Sequence, residues 1–275
     1  MPGDFIRIFS DLHYGDRASR VHRLAQLRPL LDGVEQLVLN GDTLDTRRGP
    51  APAYTEECRA AVLDFFPRAV PSVTFLTGNH DADFSTHHSI DLFAGEVFIV
   101  HGDILFDEIV PWGRDGPAIG RGIAAGLRTL PVLARDNLEH RLAVWRQVAA
   151  SIPQRHQAER HSFKYILRFA ADTIWPPLRI LWILNAWRVV PERAAQLVRR
   201  HRPRARFVLI GHTHRPGVWH MPGGVVVVNT GSFCPPLGGC VVDVTATKLL
   251  VRAVDRRAGE FRAGAVRAEF RLAGA

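Results

Sequence analysis

The stretch FVLIGHTH, residues 207–214, sets four apolar residues directly before a glycine and the pair His212 and His214. A short run of β-branched and aromatic residues that ends at a glycine is typical of a buried strand. Both histidines follow at the point where this strand ends. The segment therefore predicts a strand whose carboxyl end presents two side chains that can bind a metal ion.

The same pattern occurs five more times along the chain. Each time, a short apolar segment leads at once into polar residues. The apolar segments are residues 5–9, 37–39, 73–76, 97–100 and 225–228. The polar residues that follow them are Asp11-x-His13, Gly41-Asp42, Gly78-Asn79-His80-Asp81, His101-Gly102-Asp103 and Asn229-Thr230-Gly231-Ser232.

Helix-compatible stretches at 20–35 and 54–66 separate the early strands, which indicates βαβ units and an α/β fold. In such sheets, ligands bind beyond the carboxyl ends of the strands. Six strands that deliver polar residues at the same end therefore predict one site built from distant parts of the chain. Packing alone does not explain the pattern, because a core histidine can lie anywhere along a strand.

Residues 104–204 have a different character, with helical periodicity, several prolines and five of the six tryptophans. We interpret this stretch as a helical insertion in a single domain that spans residues 1–275. After residue 225 the chain returns to strands, of which GGCVVDV and KLLVRAV are the clearest. The last twenty residues are expected to form a terminal strand and a loose end.

The formal net charge of +8 favours an anionic partner. Almost all of the positive charge is arginine, since lysine occurs only at Lys164 and Lys248. Arginine-rich codon usage explains such an excess equally well. The arginines are also spread along the chain, which makes a nucleic-acid partner less expected than a small one.

The three cysteines, Cys58, Cys234 and Cys240, form no CxxC pair, and their odd number does not suggest a disulfide framework. A reducing compartment fits this pattern. The first residues, MPGDFIRIFSDLH, lack the features of a signal peptide. No apolar stretch reaches the roughly 18 to 20 residues of a spanning helix. We expect a cytoplasmic protein, with attachment to the inner face of the membrane as the alternative.

Each of these motifs is weak evidence alone, but their order along the chain resembles that of the calcineurin-like metallophosphoesterase superfamily. Its signature is DxH, GD, GNH[DE], H and GHxH, and every motif is present between residues 4 and 232. The resemblance implies an αββα sandwich of two mixed sheets flanked by helices, with the helical insertion as a cap. It also implies hydrolysis of a phosphate ester or anhydride at two divalent metal ions.

In that family, two metals about 3.5 to 4 Å apart share a ligand. By resemblance, Asp42 is the shared carboxylate. One metal site is completed by Asp11, His13 and His214, and the other by Asn79, His101 and His212. Imidazole and oxygen ligands suit Mn, our first choice, with Fe, Zn and Ni as alternatives. The glycines expected to let the backbone pass close to the metals or turn sharply are Gly41, Gly78, Gly102 and Gly211.

The resemblance assigns His80 to the substrate side, where it protonates the leaving oxygen or stabilises its charge. Asp45 holds the place from which the family orients this histidine. Asp81 is interpreted as a turn residue that fixes its loop by hydrogen bonding. Arg47 and Arg215 are candidates for phosphate contact, although a solvated surface arginine explains Arg47 equally well.

Three features resemble bacterial UDP-2,3-diacylglucosamine pyrophosphatases, which release UMP and a lipid A precursor. These are the helical insertion after His101-Gly102-Asp103, the Arg215-Pro216 tail, and the Trp- and Arg-bearing amphipathic stretch at 163–190. Such a stretch can line an acyl groove or contact a membrane, and it can equally be a helical hairpin packed on the sheets. That branch usually has arginine where this chain has His80, so a different phosphorylated or lipid-linked substrate stays open.

The competing hypotheses use the same motifs. A nucleotide phosphodiesterase or nuclease would share the metals, and a nuclease would bind through a basic groove with strong salt dependence. A protein phosphatase is less expected, because the chain lacks a GDYVDRG-type run. A non-catalytic scaffold typically loses ligands or the catalytic histidine, and here all are present.

Overall fold

The computed structural model describes residues 5–49, 51–154 and 178–273 of the 275-residue chain. Two β-sheets form its centre. In chain order the strands are β1 (Ile6–Phe9), β2 (Gln36–Asn40), β3 (Ser72–Leu76), β4 (Ser89–Leu92), β5 (Val97–Val100), β6 (Phe207–Ile210), β7 (Gly217–His220), β8 (Val226–Asn229), β9 (Cys240–Val244), β10 (Lys248–Arg257) and β11 (Glu260–Arg271).

Both sheets are mixed, as the resemblance implied. The six-stranded sheet has the order β11-β10-β9-β1-β2-β3, and the five-stranded sheet has the order β4-β5-β6-β8-β7. Strands β1, β2 and β3 run parallel in the first sheet, and β5, β6 and β8 run parallel in the second. These are the six strands that the sequence predicted to end in polar residues. The edge strands β4 and β7, which are antiparallel to their neighbours, were not predicted.

The two sheets pack against each other, and each strand contributes the side chains on one of its two sides to this contact. Ile8 and Val38 of the first sheet share an apolar cluster with Ile99, Leu209 and Val228 of the second. Side chains alternate along a strand, so the neighbours of these residues point outward. Burial on both sides of each central strand explains why the sequence shows short continuous apolar runs.

Helices cover both outer faces, so the αββα sandwich is confirmed. They are α1 (Arg28–Leu31), α2 (Pro52–Ala69), α3 (Gly116–Thr129), α4 (Leu138–Ala150) and α5 (Leu178–His201). Phe66 of α2 packs with Phe9 and Leu39 on the first sheet. Trp145 of α4 packs in the cluster of Val208 on the second sheet.

The helix predicted at 20–35 is shorter than expected. The structure has a 3-10 turn at Leu24–Leu27 followed by the four-residue α1. Pro29 lies in the first turn of α1 and has no N–H to donate, which favours a new start at this point. The helix predicted at 54–66 is present as α2 and extends further at both ends.

The described parts of the helical insertion, 104–154 and 178–204, contain helices and turns but no strand. Residues 163–177 of the Trp- and Arg-bearing stretch at 163–190 lie outside the described residues. Within the described ranges, no helix combines the length and the apolar character needed to cross a membrane. At the C-terminus, β11 is the terminal strand that the sequence predicted, and it extends as far as Arg271.

Two buried polar contacts fix the strands that carry the site. Arg7 of β1 forms a bidentate ion pair with Asp243 of β9, with distances of 2.6 and 2.7 Å. Asn40, the last residue of β2, donates from Nδ2 to the carbonyl oxygens of Val100 (3.1 Å) and Leu209 (3.4 Å) in the other sheet. Asn40 therefore joins the two sheets at the end where the parallel strands deliver their polar residues.

Candidate metal centre

The seven residues predicted as metal ligands lie together at the carboxyl ends of the parallel strands of both sheets. Six of them are buried, and His214 is partly exposed. They follow β1, β2 and β3 in one sheet and β5 and β6 in the other. The set is Asp11, His13, Asp42, Asn79, His101, His212 and His214.

The first cluster contains Asp11, His13 and His214. Their ligand atoms all lie within 4.8 Å of one another. His214 Nε2 is 3.1 Å from Asp11 Oδ1 and 3.1 Å from His13 Nε2. Ligands that each sit about 2.1 Å from one ion lie about 3 to 4 Å from each other. The spacing of this cluster therefore fits a single cation.

The second cluster contains Asp42, His101 and His212, which also lie within 4.8 Å of one another. His101 donates from Nδ1 to the carbonyl oxygen of Asn40 at 2.8 Å, which leaves Nε2 with a free lone pair. His212 donates from Nε2 to the carbonyl oxygen of Ile109 at 2.8 Å, which leaves Nδ1. Such outer hydrogen bonds fix the tautomer and aim the free nitrogen of a metal-binding histidine.

Two buried atoms of this second cluster have no hydrogen-bond partner among the described residues: Asn79 Oδ1 and His101 Nε2. Buried polar atoms are normally satisfied, so each exception calls for an explanation. Both atoms are electron-pair donors of the kind that binds a divalent cation. The residues present therefore fit a metal ion, and a cation at this position would satisfy both atoms.

Asp42 lies between the two clusters. Its Oδ2 is 3.3 Å from His101 Nε2 in one cluster and 3.8 Å from His13 Nε2 in the other. Its Oδ1 accepts a hydrogen bond from the backbone N–H of His80 at 2.8 Å. The carboxylate is thus held in one orientation, with Oδ2 facing ligands of both predicted metal sites.

The electrostatics of the centre suit cation binding. Burial lowers the pKa of both His13 and His212 to about 4, so these rings are neutral at pH 7, the form that binds metals. Burial opposes the ionisation of Asp11 and Asp42, but the surrounding histidines lower the pKa of both carboxyl groups. Two buried carboxylates and neutral imidazoles make a strong site for divalent metals.

Five of the seven ligand residues have a left-handed backbone, which the sequence did not reveal. They are Asp11 (φ 55°), His13 (φ 47°), Asp42 (φ 51°), His212 (φ 66°) and His214 (φ 55°). A non-glycine residue in this region costs about 1 to 3 kcal/mol and persists only where its surroundings enforce it. The sharp turns at these five residues direct their side chains toward one another at the ends of the strands.

Asp81 enforces part of this geometry. Its carboxylate accepts from the backbone N–H groups of Asp42 (3.0 Å), Thr43 (2.7 Å) and Gly78 (2.6 Å). The sequence predicted Asp81 as a residue that fixes its own loop. It does so, and it also fixes the loop that carries Asp42.

The Asn229–Ser232 turn supports the ligand loops from the other side. Asn229 donates from Nδ2 to the carbonyl oxygen of Gly211 at 2.8 Å, next to His212. Ser232 donates from Oγ to the carbonyl oxygen of Asp11 at 3.1 Å. The Asn229–Ser232 turn thus holds the backbone at Asp11 and next to His212, but it supplies no predicted metal ligand.

The glycines predicted to allow close approach do so at three positions. A Cβ on Gly41 would lie 2.6 Å from His101 Nδ1. A Cβ on Gly78 would overlap the Asp42 carboxylate, and one on Gly211 would overlap that of Asp11. Each of these contacts involves a ligand side chain, so no larger residue fits without displacing it.

His80 and Asp45 form the pair that the resemblance implied. His80 Nδ1 lies 3.0 Å from Asp45 Oδ2, to which it donates when protonated, and 2.8 Å from Arg47 Nη2, from which it accepts when unprotonated. Arg47 also binds Asp45, through Nε (2.9 Å) and Nη2 (2.6 Å). Burial and the charge of Arg47 favour the neutral ring of His80, but the carboxylates of Asp42 and Asp45 raise its pKa above the usual value. The imidazole is therefore poised to hold a proton.

A pocket of about 210 Å³ opens beside this pair, and we call it the His80 pocket. The helical insertion forms its opposite wall. Its lining combines three arginines with apolar side chains: Arg47, Asn79, His80, Val110, Gly113, Arg114, Asp115, Ile119, Ile152, Pro153 and Arg179. The sequence identified Arg47 but missed Arg114 and Arg179, because only the fold brings the insertion to the metal centre.

Arg215, the other candidate for phosphate contact, is placed elsewhere. Its guanidinium lies 5.7 Å from the ring centroids of both Trp187 and Trp219. It also donates to the carbonyl oxygen of Trp187 at 3.3 Å. Arg215 is not among the residues that line the His80 pocket. Its contacts attach α5 to the loop that carries His212 and His214.

Comparison with known proteins identifies the family. The model of the calcineurin-like phosphoesterase family matches residues 6–216, well over half of the chain. The chain therefore belongs to the calcineurin-like phosphoesterase family, whose members bind divalent metals in a dinuclear site. None of the curated proteins compared with the chain matches it in sequence.

Two solved structures illustrate what this chain is similar to. A dimetal phosphatase from Danio rerio matches over 100% of both chains, with 12% sequence identity and a TM-score of 0.50. Vacuolar protein sorting 29 from Cryptosporidium parvum covers 98% of this chain and 99% of its own, with 14% identity and a TM-score of 0.46. At these identities, the likeness to the fish phosphatase concerns the fold alone.

Gly78→Ala is expected to disrupt metal binding while the sheets stay folded, because its Cβ would displace the Asp42 carboxylate. Isothermal titration with Mn²⁺ and circular dichroism measure the two effects separately. Gly120→Ala on α3 is the matched control, since its Cβ meets Glu108 only at an ordinary 3.5 Å. Wild-type Mn²⁺ binding by Gly78→Ala would show that the close approach of Gly78 to the Asp42 carboxylate is not required for metal binding.

Proposed function

We propose that this chain is an active phosphoesterase that hydrolyses a phosphodiester or pyrophosphate bond at two divalent metal ions. The observation that carries this proposal is the position of Asp42 Oδ2 between His13 Nε2 and His101 Nε2, which belong to different clusters. The unpartnered Asn79 Oδ1 supports it as well. A complete ligand set together with His80 argues against a non-catalytic scaffold.

In this proposal, one metal is held by Asp11, His13 and His214, and the other by Asn79, His101 and His212, with Asp42 shared. Two such ions, when bound, supply an activated water and neutralise charge that develops on the phosphate. Mn²⁺ is our choice, because the ligands are imidazole nitrogens and carboxylate or amide oxygens without a thiolate.

The chain's own residues would complete the reaction. His80, whose Nδ1 is engaged by Asp45, presents its other ring nitrogen for proton donation to the leaving oxygen. The carboxylate of Asp45 keeps the ring oriented and favours its charged form. Arg47, which lines the His80 pocket, adds positive charge where a phosphate group would enter.

The substrate is proposed from the surroundings of the pocket. Arg179 of α5 lines the His80 pocket, and the same helix exposes a group of large apolar side chains that we call the α5 apolar patch. It consists of Leu178, Ile180, Leu181, Trp182 and Leu184. Large exposed apolar patches on globular proteins usually mark binding sites. A phosphate pocket lined by Arg179 of a helix that also exposes apolar side chains suits an amphiphilic substrate with a phosphate group and an apolar part.

UDP-2,3-diacylglucosamine is the amphiphile that we propose to test first. The helical insertion would then act as the cap that holds acyl chains, and the α5 apolar patch would face the substrate or the membrane that contains it. A nucleotide substrate without acyl chains would need the metals and the arginines but not this patch. The two hypotheses therefore predict loss of activity in different variants. The lipid hypothesis predicts it for variants of the α5 apolar patch, and the nucleotide hypothesis does not.

Asp42→Asn is expected to lower Mn²⁺-dependent hydrolysis of bis-p-nitrophenyl phosphate by orders of magnitude, because it removes a charge that both metals share. Release of p-nitrophenol measures the rate. Asp64→Asn is the control, since Asp64 forms only an exposed ion pair with Arg68. Near-normal activity of Asp42→Asn would contradict the shared-ligand assignment.

His80→Ala is expected to keep its metals and lose rate, most strongly for substrates with poor leaving groups, because the proton donor is gone. Elemental analysis gives the metal content, and a series of aryl phosphodiesters gives the leaving-group dependence. His22→Ala, at an exposed position, serves as the control. A metal-depleted His80→Ala protein would make His80 a ligand instead.

Wild-type protein is expected to release UMP from UDP-2,3-diacylglucosamine in the presence of Mn²⁺. Leu181→Ser should raise KM for this substrate and leave bis-p-nitrophenyl phosphate hydrolysis unchanged. Leu133→Ser is the matched control, because Leu133 is 94% exposed and lies outside the α5 apolar patch. A protein that cleaves the aryl diester but releases no UMP would exclude this lipid substrate and turn the search to nucleotides.

A further inference from the structure

A buried arginine connects the helical insertion to the metal centre. Arg146 lies on α4, and only 5% of its surface is exposed. It donates from Nη1 to the carbonyl oxygen of Gly78 at 3.1 Å, and its Nη2 is 3.5 Å from the carbonyl oxygen of His88. Gly78 directly precedes Asn79 and His80. The insertion therefore reaches the loop that carries one predicted ligand and the predicted proton donor.

The backbone around Gly78 is held from both sides. Its N–H donates to Asp81 Oδ1 at 2.6 Å, which fixes the peptide between Thr77 and Gly78. Its carbonyl oxygen belongs to the next peptide, between Gly78 and Asn79, and that oxygen is the acceptor for Arg146. Because a peptide unit is planar, fixing this oxygen also fixes the direction in which the chain enters Asn79.

Arg146 also faces several buried negative charges. Burial lowers its pKa, and the carboxylates of Asp103, Asp81 and Asp42 act in the opposite direction. Asp103 is fully buried, and neither of its carboxylate oxygens has a hydrogen-bond partner among the described residues. Removal of the arginine alone would take away positive charge that interacts with Asp103, and loss of compensation for a buried charge is destabilising. Any test must separate this charge effect from the contact with Gly78.

We propose that Arg146 is a positioning residue for the metal centre. By fixing the Gly78–Asn79 peptide, it sets Asn79 Oδ1 toward its metal and His80 toward the leaving group. The helical insertion is then part of the catalytic apparatus, in addition to forming one wall of the His80 pocket. This inference rests on the proposed function for its kinetic consequence, but its effect on metal affinity does not depend on the substrate.

The test uses Arg146→Met, Arg146→Lys, Asp103→Asn and the double variant Arg146→Met/Asp103→Asn in the full chain. Arg146→Met alone is expected to lower the melting temperature, because it leaves Asp103 buried and uncompensated. The double variant removes both charges and should recover most of that stability. Arg141→Met is the control on the same helix, since Arg141 lies over the ring of Trp145 and binds the carbonyl oxygen of Arg135.

Mn²⁺ affinity, measured by titration calorimetry, is the readout that does not depend on activity. Loss of an outer contact to a metal site typically lowers affinity 10- to 100-fold, so we expect about tenfold weaker binding at one site in the double variant. Arg146→Lys should recover part of the affinity, because it keeps a donor. With aryl phosphodiesters, the loss of kcat should grow as the leaving group becomes poorer, since His80 is misplaced.

Wild-type Mn²⁺ affinity and wild-type rates in the double variant would overturn the proposal, because Arg146 would then serve only to balance Asp103. A loss of activity that merely follows the folded fraction, with equal effect on all leaving groups, would overturn it too. If wild-type protein binds two Mn²⁺ ions but hydrolyses no phosphoester, the proposed function fails. In that case, the Mn²⁺ affinities of the Arg146 variants still test whether Arg146 positions the metal centre.

Discussion

The burial of two carboxylates, Asp11 and Asp42, next to each other is the constraint on which the rest of the structure depends. Neither is more than 1% exposed. An uncompensated charge in a protein interior costs several kcal/mol, so both need positive charge or strong hydrogen bonds. The surrounding histidines supply part of this compensation, because they lower the pKa of both carboxyl groups. Divalent cations, once bound, would supply the rest.

The arrangement of the sheets follows from the same requirement. Each sheet contributes three parallel strands to the centre, and Asn40 joins the sheets where those strands end. The left-handed turns at five ligands then aim the side chains inward. Asp81 holds the backbone at Asp42, and the carbonyl oxygen of Gly41 accepts from the N–H of Asp11, so part of the strain is maintained by contacts outside the ligand set.

The sequence predicted the strands well, and also which polar residues lie together at their carboxyl ends, because a buried strand and the polar residues after it are local signals. It predicted the wrong length for the helix at 20–35, where Pro29 starts a new turn. It also missed the edge strands, the left-handed backbone and the contact of Arg146 with Gly78. These features depend on contacts between distant segments: Arg146 and Gly78 are 68 residues apart. For the same reason, Arg215 could not be placed against Trp187 from the sequence.

The most direct test of the account is electron paramagnetic resonance of the protein loaded with Mn²⁺ and freed of excess metal. Two ions that share the Asp42 carboxylate must lie close enough for their electron spins to couple. Two Mn²⁺ per chain with the spectrum of a coupled pair are expected. One ion per chain, or two ions with independent spectra, would contradict it.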